Sequence, residues 1–151
     1  MKMEVENLSG LLVVGWKEYL TFPDWGLQQI KAKIDTGACS SALGILDYQI
    51  EKDPIEGEMV RIRLGLYPRY PERVREVRVP VVGRVDVKNS GGKKERRPVI
   101  QATIRIGSVT RLIRMTLANR TGMRCPVLLG REALAGQFVV DVSKRFCQSG
   151  K

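Results

Sequence analysis

The residues of this chain best suited to chemistry are Ile34-Asp35-Thr36-Gly37-Ala38, an apolar run that ends on an aspartate and turns at once. In such a turn a strand delivers Asp35 to a fixed point and Thr36 can lock the loop by hydrogen bonds. Gly37 lets another backbone approach closely. Those are the requirements of peptide hydrolysis by carboxylates alone. The same tripeptide also serves as an ordinary turn, so weight falls on a second motif far downstream, Val127-Leu128-Leu129-Gly130-Arg131.

Histidine is absent, which removes the serine and cysteine triads that depend on imidazole and most zinc sites. Cys39, Cys125 and Cys147 are spaced too widely for a compact zinc knuckle, so neither a metal nor a cofactor is expected. Cys39 lies close after Asp35, but no base is evident to activate it, and a small buried residue is the better reading. Chemistry falls to carboxylates, lysines, tyrosines or thiols.

At 151 residues the chain has the size of one domain, 1–151, and 43% hydrophobic residues suffice for a packed core. An odd number of cysteines with no export signal reads as reduced thiols in a cytoplasm. The longest early apolar run, Leu11–Val14, is too short for a signal core or a membrane span. The formal net charge is +10, from 26 Lys and Arg against 16 Asp and Glu, which favours acidic partners. Nucleic acid is the less favoured of these, because aromatic residues are only 6% and no stacking motif appears.

The elements that must position Asp35 are strands. Val13 to Phe22 reads as extended with an interruption at Gly15, closed by Pro23-Asp24-Trp25-Gly26. Gln29 to Asp35 alternates Ile30, Ala32 and Ile34 with Lys31 and Lys33, the period of a half-buried strand. Met59 to Leu66 alternates in the same way, with Arg61 and Arg63 facing out. Pro80 breaks Val74 to Val87 into two strands or a bent edge strand. Val99 to Ile106 and Val109 to Leu117 flank Gly107-Ser108, a two-residue hairpin turn with glycine first, as a type II′ turn prefers. Lys88 to Arg97 reads as a flexible basic loop. One short helix is predicted at Arg131–Ala135, followed by a last strand, Phe138–Val142. The fold class is therefore all-β, a closed, mostly antiparallel barrel with one short C-terminal helix.

These motifs resemble the retropepsin-like aspartic proteases, and more closely a bacterial family often labelled an "ATP-dependent zinc protease". The resemblance runs in order through Val14-Gly15-Trp16-Lys17-Glu18, Lys31 to Ala38, Ser40-Ser41-Ala42-Leu43 and Glu95 to Ile100. It continues through Thr116 to Arg120, Leu128-Leu129-Gly130-Arg131 and Ala133 to Gly136. Family members commonly carry a histidine after the Ala42-Leu43 position, where this chain has Gly44. It also lacks a Gly-x-x-x-x-Gly-Lys phosphate loop. The zinc and ATP halves of the label thus find no residues here.

The resemblance implies a retropepsin barrel, enlarged by an insertion between Ala42 and Pro80. It implies that Asp35, Thr36 and Gly37 are catalytic and that Ala38 meets substrate. It places Ser90, Gly91 and Gly92 in a glycine-rich flap that closes over substrate. Gly130 and Arg131 become structural, with the arginine tied to the region after the catalytic turn. Cys39 and Ser40 offer it no carboxylate, which leaves backbone carbonyls or a more distant acid. Aspartic proteolysis needs two carboxylates sharing a proton, and this chain has one Asp-Thr-Gly. The resemblance therefore implies a cytoplasmic homodimeric endopeptidase acting on a peptide or protein, with acidic, glutamate-bearing substrates suited to the charge. The alternative is a peptide-binding barrel without a competent pair, related to proteins modified by glutamate ligases. No membrane partner is expected.

Overall fold

Period-two burial builds most of this protein, for which a computed structural model describes residues 10–88, 91–120 and 122–148. The chain opens with β1 (Leu12–Val14), β2 (Lys17–Phe22) and, after a turn of 3-10 helix at Pro23–Trp25, β3 (Leu27–Ile34). Then come β4 (Ser41–Gly44), β5 (Asp47–Asp53), β6 (Gly57–Leu64), β7 (Arg75–Pro80) and β8 (Gly83–Lys88). The long hairpin β9 (Lys94–Ile106) and β10 (Val109–Ala118) follows, and β11 (Val127–Leu129), α1 (Arg131–Leu134) and β12 (Phe138–Val140) complete the order.

Six strands close a barrel in the order β10-β4-β11-β3-β2-β9, with β9 pairing back onto β10. The β10–β4 and β11–β3 contacts are parallel and the rest of the ring is antiparallel. Inside lie Leu20, Phe22, Ile30, Leu43, Ile100, Ile104, Met115 and Leu129, each at most 1% exposed. Burial of such side chains is worth about 1.5–3 kcal/mol apiece. The expected closed, all-β barrel with one short helix is what forms. In the β9–β10 turn Gly107 takes φ 57° while Ser108 keeps an ordinary φ, the type II′ arrangement.

Two expectations change. The insertion does not enlarge the barrel; β5, β6 and β7 form a separate three-stranded antiparallel sheet. Val60, Ile62 and Leu64 of β6 are buried in the same core, whereas Arg61 and Arg63 point outward. A sheet with one apolar face covers a barrel wall instead of joining its ring. The basic segment Lys88–Arg97 is largely strand as well. Lys88 pairs with Lys94, and the β8–β9 ladder runs from there to Gly83↔Val99.

The outer sheet is held by a charge network that makes its stability pH-dependent. Arg78 bonds Glu51 (2.8 Å), Glu56 (2.7 Å) and Asp53 (3.2 Å), and Arg61 bonds Glu51 (3.0 Å) and Glu76 (2.8 Å). The Arg61 and then the Arg78 guanidinium hold the Glu51 carboxyl below its ordinary value of 4.5. The Glu56 and Ile55 N–H groups, then Arg78, hold Asp53 below 3.8. Carboxyls depressed in the folded state stabilise it fully above their unfolded values and lose that contribution as pH falls through the folded ones. The urea midpoint is therefore expected to drop as pH is lowered from about 5 toward 3. In Arg78→Met the drop over that interval should be visibly smaller. An equal acid sensitivity in both proteins would contradict this role for the network.

Candidate active site

β11 passes between β3 and β4, and this crossing builds the site. Its parallel register against β3, Val127↔Ala32 to Leu129↔Ile34, brings Gly130 and Arg131 beneath the loop that follows β3. The Asp35 N–H donates to the Leu129 carbonyl at 2.9 Å, and the Arg131 N–H donates to the Ala38 carbonyl at 2.8 Å. The Glu132 N–H reaches the Cys39 carbonyl at 3.0 Å. Arg131 Nη1 donates to the Thr36 carbonyl at 2.9 Å. A backbone carbonyl thus takes the place that an acidic side chain was sought for, and the arginine fastens the turn from outside.

Within the turn, Asp35 Oδ1 accepts the Gly37 N–H at 3.0 Å, and the Ala38 N–H closes back on the Asp35 carbonyl at 3.2 Å. Asp35 is half-buried, while Thr36 and Gly37 are exposed. No other carboxylate bonds Asp35 among the described residues. A Cβ built on Gly37 would meet only Asp35 Oδ1, at 3.2 Å, so the outer side of the turn is open.

Asp35, Thr36, Gly37, Ala38, Gly130 and Arg131 therefore form one hydrogen-bonded unit. Gly91 and Gly92 stand exposed at the tip of the separate β8–β9 hairpin, with Gly92 at φ 82°. Ser90 lies outside the described residues. Cys39 departs from expectation, being exposed and donating from Sγ to Glu132 Oε1 at 3.4 Å. Its backbone carbonyl, not its side chain, meets the layer beneath, accepting the Glu132 N–H at 3.0 Å.

Three contributors carried no visible role in the sequence. The buried Ser41 hydroxyl accepts the Gly130 N–H at 3.0 Å. The Trp16 carbonyl accepts the Ile34 N–H at 2.8 Å, one residue before Asp35. Glu18, fully buried, anchors the segment holding Trp16 by accepting the Gly15 N–H at 2.7 Å. All three lie in stretches that carried the family resemblance, which was the available signal.

Gly130 is required by contact, not by its backbone angle. A Cβ there would stand 2.4 Å from the Ser40 carbonyl oxygen and 2.8 Å from that of Cys39. Gly130→Ala is expected to cost about 1–3 kcal/mol in chemical denaturation, because overpacking against backbone forces the turn outward. A variant with native stability would show that the turn yields freely. Gly44 is confined in the same way, since a Cβ would meet the Pro126 carbonyl oxygen at 2.8 Å. Gly44, where the resemblance leads one to expect a histidine, leaves no room for one in this packing. Among the described residues no group of three or more potential metal ligands comes together.

A barrel crossed by a strand that supports an Asp-Thr-Gly turn, with Gly-Arg and a short helix beneath, defines the retropepsin class of fold. The chain belongs to the RimB-like family, described as retropepsin-like aspartic endopeptidase RimB, whose model matches residues 13–151. It is similar to a crystal structure of a Legionella pneumophila protein of unknown function, with a TM-score of 0.77 and 26% identity. That match covers 91% of this chain and 98% of the other. It is also 34% identical over 141 residues to a probable alpha-L-glutamate ligase of Shewanella pealeana, covering 92% of this chain and 30% of that protein. A probable alpha-L-glutamate ligase of Desulfotalea psychrophila is 32% identical over 132 residues, 85% of this chain and 28% of that protein. The chain thus spans less than a third of the length of these curated relatives. No helix among the described residues is long and apolar enough to cross a membrane.

Proposed function

We propose that the chain is an aspartic-type endopeptidase whose active form is a homodimer. The observation that carries this reading is the fixed, outward-facing Asp35 turn, clamped from beneath by β11 and Arg131 while its carboxylate, among the described residues, bonds only the Gly37 N–H. Hydrolysis needs a second carboxylate close by, since one acts as base toward water while the other, protonated, polarises the peptide carbonyl. Like charges that close cannot both ionise cheaply, so the pair holds a single proton. In this reading the second carboxylate is Asp35 of the partner subunit, on a two-fold axis. Thr36 reaches across to the opposite turn, and the β8–β9 hairpin with Gly91 and Gly92 closes over substrate to exclude water. Acting in the cytoplasm, the enzyme would take peptides or proteins bearing acidic stretches, consistent with the +10 charge and with relatives named as glutamate ligases.

One feature favours a second reading, a peptide-binding barrel that does not cleave. The C-terminal segment is a natural dimer element by resemblance, and here it is engaged with its own chain. The Asp141 N–H donates to the Val14 carbonyl, the Trp16 N–H to the Lys144 carbonyl and the Phe146 N–H to the Lys17 carbonyl, each at 2.8 Å. Peptidase activity measured across a protein dilution series separates the readings. The homodimer predicts a rise steeper than linear near the dissociation constant, in step with mass from light scattering. A strict monomer that binds an acidic peptide without cleaving it would favour the binding module. Cleavage by a strict monomer would require a second carboxylate within one chain.

A further inference from the structure

A trough of about 980 Å³ runs along the outer face of β2 and β3 beneath the loop before β7. Lys17, Lys31, Arg69, Arg73, Arg75 and Arg124 line it, and among the described residues no aspartate or glutamate does. None of the six is ion-paired among the described residues, whereas Arg61, Arg63, Arg78 and Arg84 on the insertion sheet and β8 all have carboxylate partners. The positive charge in the trough is uncompensated.

The trough is also built. The Tyr67 hydroxyl donates to the Gln28 carbonyl at 2.7 Å and Arg75 Nη1 to the Trp25 carbonyl at 2.6 Å, which fastens the covering loop onto the start of β3. The Arg73 guanidinium lies 3.9 Å from the Tyr67 ring centre and 5.9 Å from that of Tyr70. Gln29, on the lining, holds φ 55° where the β2–β3 register shifts by a bulge between Leu20↔Ile30 and Phe22↔Leu27. Three of the chain's four tyrosines, Tyr19, Tyr67 and Tyr70, line this one surface, and Tyr70 is 53% exposed. Asp35 does not line it. Lys31 precedes Asp35 by four positions, about 13 Å along a strand; Lys17, opposite Lys33, marks the end nearer Asp35, and Leu27, Gln28 and Gln29 carry the trough to the beginning of β3.

We propose that this trough binds single-stranded nucleic acid, independently of the Asp35 site. Phosphates would meet Lys17, Lys31, Arg69 and Arg124, while bases stack on the open Tyr70 ring and beside the Arg73–Tyr67 pair. An acidic polypeptide would use the cations equally well, but it has no planar groups for the clustered rings. The sparse aromatic content argued against nucleic acid only on the assumption that aromatics are spread evenly, and the fold gathers them beside the charge.

Fluorescence anisotropy of a labelled 12-residue oligouridylate tests this on the full chain carrying Asp35→Asn, so that failure of the peptidase reading leaves the result untouched. A labelled glutamate dodecapeptide forms the second arm. The oligouridylate is expected to bind and to weaken by roughly tenfold or more between about 50 and 200 mM salt. Tyr70→Ala should weaken it about fivefold or more, as loss of one stacked base does. Arg69→Glu with Arg124→Glu should weaken it at least as much, and neither arginine has a hydrogen bond among the described residues to lose on folding. Lys52→Ala, on β5 outside the trough, should leave affinity unchanged. No oligouridylate binding, indifference to the Tyr70 and arginine variants, or tighter binding of the glutamate peptide at this surface would each overturn the proposal.

Discussion

Asp35→Asn is expected to lower peptide hydrolysis by roughly 10²- to 10⁴-fold, the range that a positioned acid or base contributes. An amide neither takes a proton from the attacking water nor gives one to the peptide carbonyl. The substitution keeps the shape of the side chain, and the turn's main anchors are backbone groups: the Asp35 N–H on Leu129, the Ala38 N–H on Asp35 and the Arg131 guanidinium on Thr36. The asparagine carbonyl still accepts the Gly37 N–H. Unfolding free energy should therefore change by less than about 1 kcal/mol, because the half-buried side chain keeps its shape and its bond. For the proposed homodimer, an excess of Asp35→Asn chains should also suppress native activity, because mixed pairs hold half a site. Peptidase activity that survives the substitution, or that yields to a chelator instead, would place the chemistry elsewhere.

Glu18→Ala is expected to remove about 3–5 kcal/mol of stability, the largest effect foreseen on the fold. The Glu18 side chain is fully buried on β2 and accepts three backbone N–H groups: Gly15 at 2.7 Å, Cys147 at 2.8 Å and Gln148 at 3.1 Å. Alanine leaves those donors without an acceptor where water has poor access, and buried unmet donors are costly. Against a total of about 5–15 kcal/mol for a domain, the loss is large enough to read in urea denaturation. Glu18→Gln keeps one carbonyl acceptor and should fall between alanine and native. The Cys147 thiol supplies an independent readout. Burial and then the Glu18 charge push its pKa above the ordinary value, so removing the carboxylate should speed its alkylation. Native stability in Glu18→Ala would mean that the C-terminal segment is held by its other contacts alone.

The strands legible in the sequence are those whose burial alternates on one face, a property each segment carries locally. Ile30, Ala32 and Ile34 marked β3, Val60, Ile62 and Leu64 marked β6, and Gly107-Ser108 marked the β9–β10 turn. Ser41–Gly44 was too short to show a period. Asp47–Asp53 showed none because both its faces are largely open to solvent. Lys94–Arg97 looked like a loop because four charged residues in a row show no period; they find relief across the hairpin, where Arg96 lies 3.9 Å from Asp86, and along the strand, where Arg97 meets Glu95 at 2.9 Å. The Asp35-Thr36-Gly37 and Gly130-Arg131 motifs were likewise visible, since each is contiguous. Their meeting depends on β11 entering between β3 and β4, which no local pattern encodes. The same holds for Arg131 on a carbonyl 95 positions away, for Glu18 on Cys147 at a separation of 129, and for tyrosines gathered among unpaired cations. Residue type and spacing determined which groups were available for chemistry. Only the closed barrel decided which of them touch, because those contacts join segments distant along the chain.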